Sequence, residues 1–342
     1  MSRKLVYVGF AFMHHKGTHG GYHQIRKHVD YDCVVDCQSY FEKSQKEYSR
    51  ISIWGKIYRR VLRTLFGVNN IPWFLFKIIW LGLRHDNLTF HYIYGENTFF
   101  PWTKIFLRKG NVIVCTFHQP YSFFQTSEKF KKKIQCSDKI ILVGNTEVGS
   151  FKIMTGRDNV VYIPHGISTD YYCIDGNVKK GKVVLTVGNW LRDYKFANSV
   201  YHKLLEIDSS LEIHIVANPP NERFITPSDR IKYMSGITDD QLREEYLKSS
   251  VLFLPLIRYT ANNSLLESSS SGCNIVIASD YPDNSYIPEQ YISIVRMDVN
   301  SSVNAILAHL NLGYNVTLAK YIDKNYSWQV IAAKTEIYLR SL

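Results

Sequence analysis

The sequence predicts an α/β protein built from two doubly wound parallel-sheet domains, and three observations carry that prediction. Strand-length apolar runs alternate with helix-like stretches along most of the chain, which is the rhythm of βαβ units. The runs fall into two series, separated by a polar stretch with no long apolar run. The chain has 342 residues, 45% of them hydrophobic and 21% charged. That is too long for one ordinary core and comfortable for two.

The first series is Lys4–Gly9, Leu88–Ile93, Val112–Thr116 and Lys139–Val143. The second is Val183–Val187, Leu211–Val216, Val251–Pro255, Asn274–Ala278 and Ile292–Val295. Asp170–Gly181 lies between them and reads as a linker. Asp239–Ser249 and Asn262–Ser271 read as helices, and Tyr326–Leu342 as a closing helix. The expected division is 1–168, 169–325 and 326–342. Open parallel sheets bind ligands beyond the carboxyl ends of their strands. Chemistry is therefore expected in Phe10–Gly21 and His118–Tyr121 of the first half. In the second half it is expected in Gly188–Lys195, Ala217–Asn221 and Leu256–Ser264.

The formal charge is +11, with basic clusters at Arg59, Arg60, Arg63 and Lys129–Lys133. Such a surface attracts nucleic acid, anionic lipid or phosphorylated small molecules. No zinc finger, RNP motif or basic zipper accompanies it, so nucleic acid is not an expected partner. The six cysteines form no Cys-x-x-Cys pair, which argues against a zinc or thioredoxin-type site. The chain runs from Met1–Lys4 straight into a strand with no secretory signal, so a cytoplasmic location with reduced thiols is expected. Ile53–Leu83 is rich in aromatic and basic residues, but its apolar run is short for a span and Lys77 interrupts it. It reads as a partly buried helix with a portion facing an anionic membrane surface.

Two segments suit a nucleoside diphosphate. In Lys182–Lys195, KVVLTVGNWLRDYK, a strand ends at Val187 and Gly188 allows a tight turn. Arg192 and Lys195 follow, a planar fork and a mobile point charge for phosphate oxygens. The plain alternative is a solvated helix start. In Val251–Asp280, VLFLPLIRYTANNSLLESSSSGCNIVIASD, a helix begins near Asn262–Ser264, whose backbone N–H groups face an anion. Glu267 lies one turn on, on an exposed face, where a carboxylate accepts hydrogen bonds from a ribose diol. Glu267 alone is also explained by the helix dipole. The small run Ser268–Gly272 lets that helix approach its strand.

Three motifs are set aside. Gly176–Val183 nearly matches a phosphate-binding P-loop, but Val183 replaces the hydroxyl residue and the segment precedes its strand. His14, His15, His19, His23 and His28 have ligand-like spacing, but Gly17, Gly20 and Gly21 break any helix there, so no metal site is expected. His165, in Pro-His-Gly, reads as structural.

Together these segments resemble the GT-B glycosyltransferases, specifically the large retaining glycosyltransferase family 4. The likeness rests on VYIPHGI (Val161–Ile167), LTVGNWLRDYK, Gly236–Pro255, TANNSLLESSSSGCNIVIASD and the glycine-rich GTHGGYHQI (Gly17–Ile25). It implies two Rossmann-like domains facing across a cleft. It implies catalytic roles for His118, Arg192, Lys195 and Glu267: His118 beside the donor sugar, the cations on the diphosphate and the carboxylate on the ribose. It implies substrate contacts from Gly20, Gly21, Gly188, Asn189, Asn262, Asn263, Ser264 and Leu265. The first glutamate of the family's Glu-x7-Glu motif is Tyr259 here, so backbone amides around Ala261–Ser264 are expected to replace it. The implied reaction is metal-independent transfer from a nucleotide-diphosphate sugar (UDP by default) to a glycan or lipid-linked acceptor. No cofactor is implied. A nucleotide-sugar epimerase of the same fold and a non-catalytic sugar-nucleotide or glycan-binding protein are the alternatives.

Overall fold

The computed structural model describes residues 3–46, 73–258, 262–281 and 286–342, the side chains of residues 43–46 excepted. Tyr259, Ala261 and residues 53–72 of the predicted membrane-facing region, with Arg59, Arg60 and Arg63, lie outside the described residues.

The chain forms two compact units. One comprises residues 1–17, 21–163 and 331–342; the other comprises 18–20 and 164–330. The first holds six parallel strands: β1 (Lys4–Gly9), β2 (Cys33–Asp36), β3 (Leu88–Tyr92), β4 (Val112–Phe117), β5 (Lys139–Leu142) and β6 (Val160–Tyr162). They lie in the order β2-β1-β3-β4-β5-β6. The second unit holds β7 (Gly181–Val187), β8 (Glu212–Val216), β9 (Ile231–Met234), β10 (Ser249–Pro255), β11 (Asn274–Ala278) and β12 (Ser293–Val295). Their order, β12-β11-β10-β7-β8-β9, is the doubly wound pattern. Chain direction across each sheet reverses at one point, between β1 and β3 and between β7 and β10.

Alternation along the central strands explains why both sheet faces are covered. Leu252 and Leu254 of β10 point to one face, with Leu185, Tyr246, Leu265 and Leu266. Val251 and Phe253 point to the other, with Val184, Ala197, Tyr201 and Val303. Successive side chains of a strand face opposite ways, so a strand buried on both sides reads as a continuous apolar run. All seven residues of β10 are buried.

The strands absent from the sequence expectation share a position. β2, β6 and β9 are edge strands of three or four residues. CVVD, VVY and IKYM are too short for their apolar residues to stand out as a run, whereas the fourth edge strand, β12, was read as Ile292–Val295. Two expectations are corrected. Asp170–Gly181 is no free linker: Tyr172 is buried, and the Tyr314 hydroxyl donates to the carbonyls of Asp175 and Val178. The closing helix starts at Trp328; Tyr326 ends the preceding helix, Val316–Tyr326. Ile167 holds the break open. Its N–H donates to the Tyr326 carbonyl at 2.8 Å, and its carbonyl accepts from Trp328 at 3.0 Å.

Candidate functional site

The loops after β7 and β10 leave adjacent strands at the switch point of the second sheet, where ligands of such sheets bind. Gly188 follows β7 with φ +108°, a conformation that L side chains rarely adopt. A Cβ there would also lie 2.9 Å from the Arg192 guanidinium. The two loops are tied together: Ile257 N–H donates to the Leu191 carbonyl, and Asp193 N–H to that of Pro255, each at 3.0 Å. Asp193 then caps the helix Tyr194–Ile207 by accepting from Phe196 N–H.

This geometry presents Arg192. Its guanidinium donates to four acceptors: the carbonyls of Val187 (3.3 Å) and Trp190 (2.8 Å), Asn262 Oδ1 (3.1 Å) and Ser264 Oγ (3.1 Å). All four are neutral, and among the described residues no carboxylate pairs with it. Burial lowers its pKa to about 10, which leaves it charged at neutral pH. Asn262 caps the helix Asn263–Ser270 with the same Oδ1, which accepts from Leu265 N–H. Its Nδ2 is buried without an acceptor among the described residues. A buried unpaired donor costs about 1–3 kcal/mol. Among the described residues, a fixed cation has no counter-ion and the donor beside it has no acceptor, an environment that favours an anion.

Glu267 is placed differently from the sequence expectation. It is 5% exposed, on a helix whose residues Ser264–Ser270 are all buried, and not on an open face. The small side chains of Ser268–Ser271 let the helix sink into the unit. One Glu267 oxygen accepts from the Tyr246 hydroxyl at 2.9 Å. Burial raises its pKa to about 7, opposed by the Tyr246 hydrogen bond. Tyr246 thus fixes the Glu267 carboxyl. It was missed because a tyrosine in Arg243-Glu-Glu-Tyr-Leu carries no signal beyond a core aromatic.

The remaining predicted residues divide. Ser264 joins the Arg192 set, and Leu265, expected to contact substrate, gives its N–H to the Asn262 cap. Asn263 is half-buried in the first turn. Asn189 Oδ1 is committed to Asn218 N–H (2.6 Å) and Asn221 Nδ2 (3.1 Å), so it holds the loop after β8. Lys195 is exposed as the second residue of its helix, outside the hydrogen-bonded set. Gly20 is buried in the second unit. In that unit the neighbouring His19 stacks on Tyr171 (ring centroids 3.5 Å apart) and meets Asp239 through its ring nitrogen at 2.7 Å.

In the first unit, His118 follows β4. Its N–H donates to Glu96 Oε1 at 3.3 Å, and its Nδ1 lies 3.5 Å from the same oxygen. Tyr22 and Tyr94 flank the ring, each at 4.8 Å. Glu96 sits on the four-residue helix Gly95–Thr98, where a Cβ on Gly95 would strike Cys115 and Phe117 of β4. That close approach sets Glu96 against His118. The sequence reading missed Glu96; its signal was a Gly-Glu pair directly after a buried strand. Gly21, also in this unit, has φ +88° and no room for a Cβ beside His15.

No metal cluster of three or more His, Cys, Asp or Glu occurs among the described residues. Asp30-Tyr31-Asp32 has the Asp-x-Asp spacing of a metal motif, but Asp32 Oδ2 accepts from Leu5 N–H at 2.8 Å and lies 3.8 Å from Arg340. The His14–His28 loop also forms no such cluster.

No family model and no curated protein matches the sequence. Solved structures do match in fold. Sucrose-phosphate synthase from Thermosynechococcus elongatus superposes with a TM-score of 0.68 at 13% identity, covering 99% of both chains. Anabaena HepE in complex with UDP and glucose gives 0.65 at 12%, covering 99% of this chain and 100% of that one. The lipopolysaccharide outer core galactosyltransferase WaaB gives 0.63 at 12%, covering 98% and 99%. With its two parallel six-stranded sheets, the chain therefore has the GT-B fold of these glycosyltransferases. At such identities the likeness concerns the fold.

Proposed function

We propose that this chain is a glycosyltransferase, moving a sugar from a nucleoside diphosphate sugar to a glycan or lipid-linked glycan in surface polysaccharide or glycolipid assembly. The observation that carries the reading is Arg192, a guanidinium fixed on four neutral acceptors with no carboxylate partner among the described residues. The donor diphosphate supplies the missing negative charge. Glu267, one turn further along the helix that starts beside Arg192, binds the ribose hydroxyls. Lys195 swings its ammonium to the phosphates, and UDP is the default nucleotide. The similarity to a structure holding UDP and glucose supports that choice.

The bond between the anomeric carbon and the diphosphate oxygen breaks, and its electrons go to the diphosphate. An acceptor oxygen bonds to the anomeric carbon on the face the diphosphate leaves, giving retention. Its proton passes to the departing phosphate, so no separate base is required and no divalent metal is invoked. The chief demand is stabilisation of charge on the leaving group, where one preorganised donor is worth about 3 kcal/mol. Arg192 and Asn262 Nδ2 supply such donors. His118, oriented by Glu96, contacts the sugar. The enzyme works at the cytoplasmic face of a membrane.

The test is nucleoside diphosphate release from a panel of nucleotide sugars, with and without acceptor, with product stereochemistry read by NMR. Release that rises with acceptor and gives a retained linkage supports the reading. Conversion of the sugar without net transfer makes the protein an epimerase. Binding without either reaction makes it a carrier.

A further inference from the structure

Six large apolar side chains stand out of the first unit on two adjoining elements. The helix Trp73–Arg84 buries Phe74, Leu75, Ile78 and Leu81 along one side. Trp73, Phe76, Trp80 and Leu83, three or four residues apart, lie on the other side, with exposures from 51% to 78%. A surface helix normally turns charged residues outward; this one turns out two tryptophans, a phenylalanine and a leucine. The short helix Pro101–Phe106 adds Ile105, 78% exposed, and Phe106. The elements are locked side by side. Arg108 N–H donates to the Gly82 carbonyl at 3.0 Å, and Gly82 leaves no room for a Cβ beside Leu107.

Single exposed apolar residues are ordinary, whereas a contiguous ridge of six marks a contact surface. Its border identifies the contact. Lys77, Arg84, Arg108 and Lys109 are all exposed around it, and Arg84 lies over the Trp80 ring at 5.4 Å. Asp86, the acid of the adjoining turn, is paired with Arg108 at 3.5 Å. Tryptophan beside arginine and lysine is the composition of the layer between lipid headgroups and acyl chains. The helix has 12 residues, about 18 Å, too short to cross a bilayer.

We propose that this ridge docks on an anionic lipid bilayer, its apolar side chains entering the interface and its cations meeting the headgroups. The proposal deepens the membrane part of the reading above and does not depend on the transfer chemistry. It names side chains, and it adds Ile105 and Phe106, more than 20 positions along the chain from Trp80.

The test is co-sedimentation of the full chain with vesicles of phosphatidylcholine alone and of phosphatidylcholine mixed with phosphatidylglycerol, at low and high salt. The wild type should bind the anionic vesicles, bind more weakly at high salt, and shift its tryptophan emission to the blue. The triple variant Trp73→Ser, Phe76→Ser, Trp80→Ser should lose at least about a hundredfold in affinity, since each buried aromatic contributes about tenfold. Ile105→Ser should lose about tenfold. Should the triple variant misfold, Arg84→Glu with Lys109→Glu, both on exposed side chains, should abolish the preference for anionic vesicles. The proposal is overturned if the wild type ignores anionic vesicles or if the folded triple variant binds as well as the wild type. It is also overturned if the ridge variants only change self-association in sedimentation. Nucleotide binding is scored separately, so failure here leaves the donor reading standing.

Discussion

Two strand-end clusters hold a basic side chain in this molecule, and they surround it in opposite ways. In the first unit His118 lies against a carboxylate, with Glu96 Oε1 at 3.3 Å from its N–H and 3.5 Å from Nδ1. In the second, Arg192 is held by four neutral oxygens, and no carboxylate balances it among the described residues. The first cluster carries its own carboxylate, whereas the second is open to an anion brought from outside. Hydrogen bonds alone do not tell a ligand site from a structural one; the sign left uncompensated does.

The sharpest way to break this contrast is Arg192→Ala. Affinity for UDP in calorimetry should fall by at least about a hundredfold, the effect of removing one charge-stabilising donor. Arg192→Lys should recover little, because an ammonium does not reproduce four hydrogen bonds in a planar fork. Unchanged affinity in the alanine variant would move the anion site elsewhere.

Glu267→Gln should next separate binding from stability. Burial holds the native pKa at about 7, above the ordinary 4.5. A carboxyl raised in the folded state contributes least penalty below pH 4.5, and stability is lost as pH climbs from 4.5 through 7. The cost at pH 8 is about 3 kcal/mol at most. Glu267→Gln should therefore melt higher than the wild type at pH 8 and level with it near pH 5, by calorimetry. It should also lose about tenfold in nucleotide affinity, two hydrogen bonds to a ribose being at stake. A melting difference independent of pH would mean that the carboxylate is not the titrating group.

Smaller effects sharpen the other half. Glu96→Gln should leave UDP affinity within about twofold and lower transfer by about tenfold, as expected where a residue positions another and carries no ligand charge. If UDP affinity drops with it, the two clusters are not functionally separate. Lys195→Ala should weaken UDP binding by about threefold, strongly at low salt and hardly at high salt, because an exposed ammonium is screened. A salt-independent loss would place Lys195 inside the buried set.

The legible parts of the fold were those with redundant apolar pattern. Central strands such as Val251–Pro255 and Asn274–Ala278 are buried on both faces, so each residue reports the same element. The short edge strand Ile231–Met234, of mixed burial, left no run to read, although the edge strand Ser293–Val295 did. In the site, Gly188, Arg192, Asn262 and Ser264 were legible because a strand end, a tight turn and a helix start are local events. Glu96 and Tyr246 were not, because each meets its partner only through folding: Glu96 is 22 residues from His118, and Tyr246 is 21 from Glu267.

The sequence by itself determined the doubly wound class, the loops that hold polar chemistry and the residue types available there. Those follow from periodicity and from chain geometry over a few residues. The tertiary structure alone decided which charges are answered. It buried Glu267 and raised its pKa, gave His118 a carboxylate and, among the described residues, left Arg192 without one. It also turned the tryptophans of Trp73–Arg84 outward. Compensation of a charge and exposure of a face depend on which distant segments arrive beside them, and no local pattern encodes that arrival.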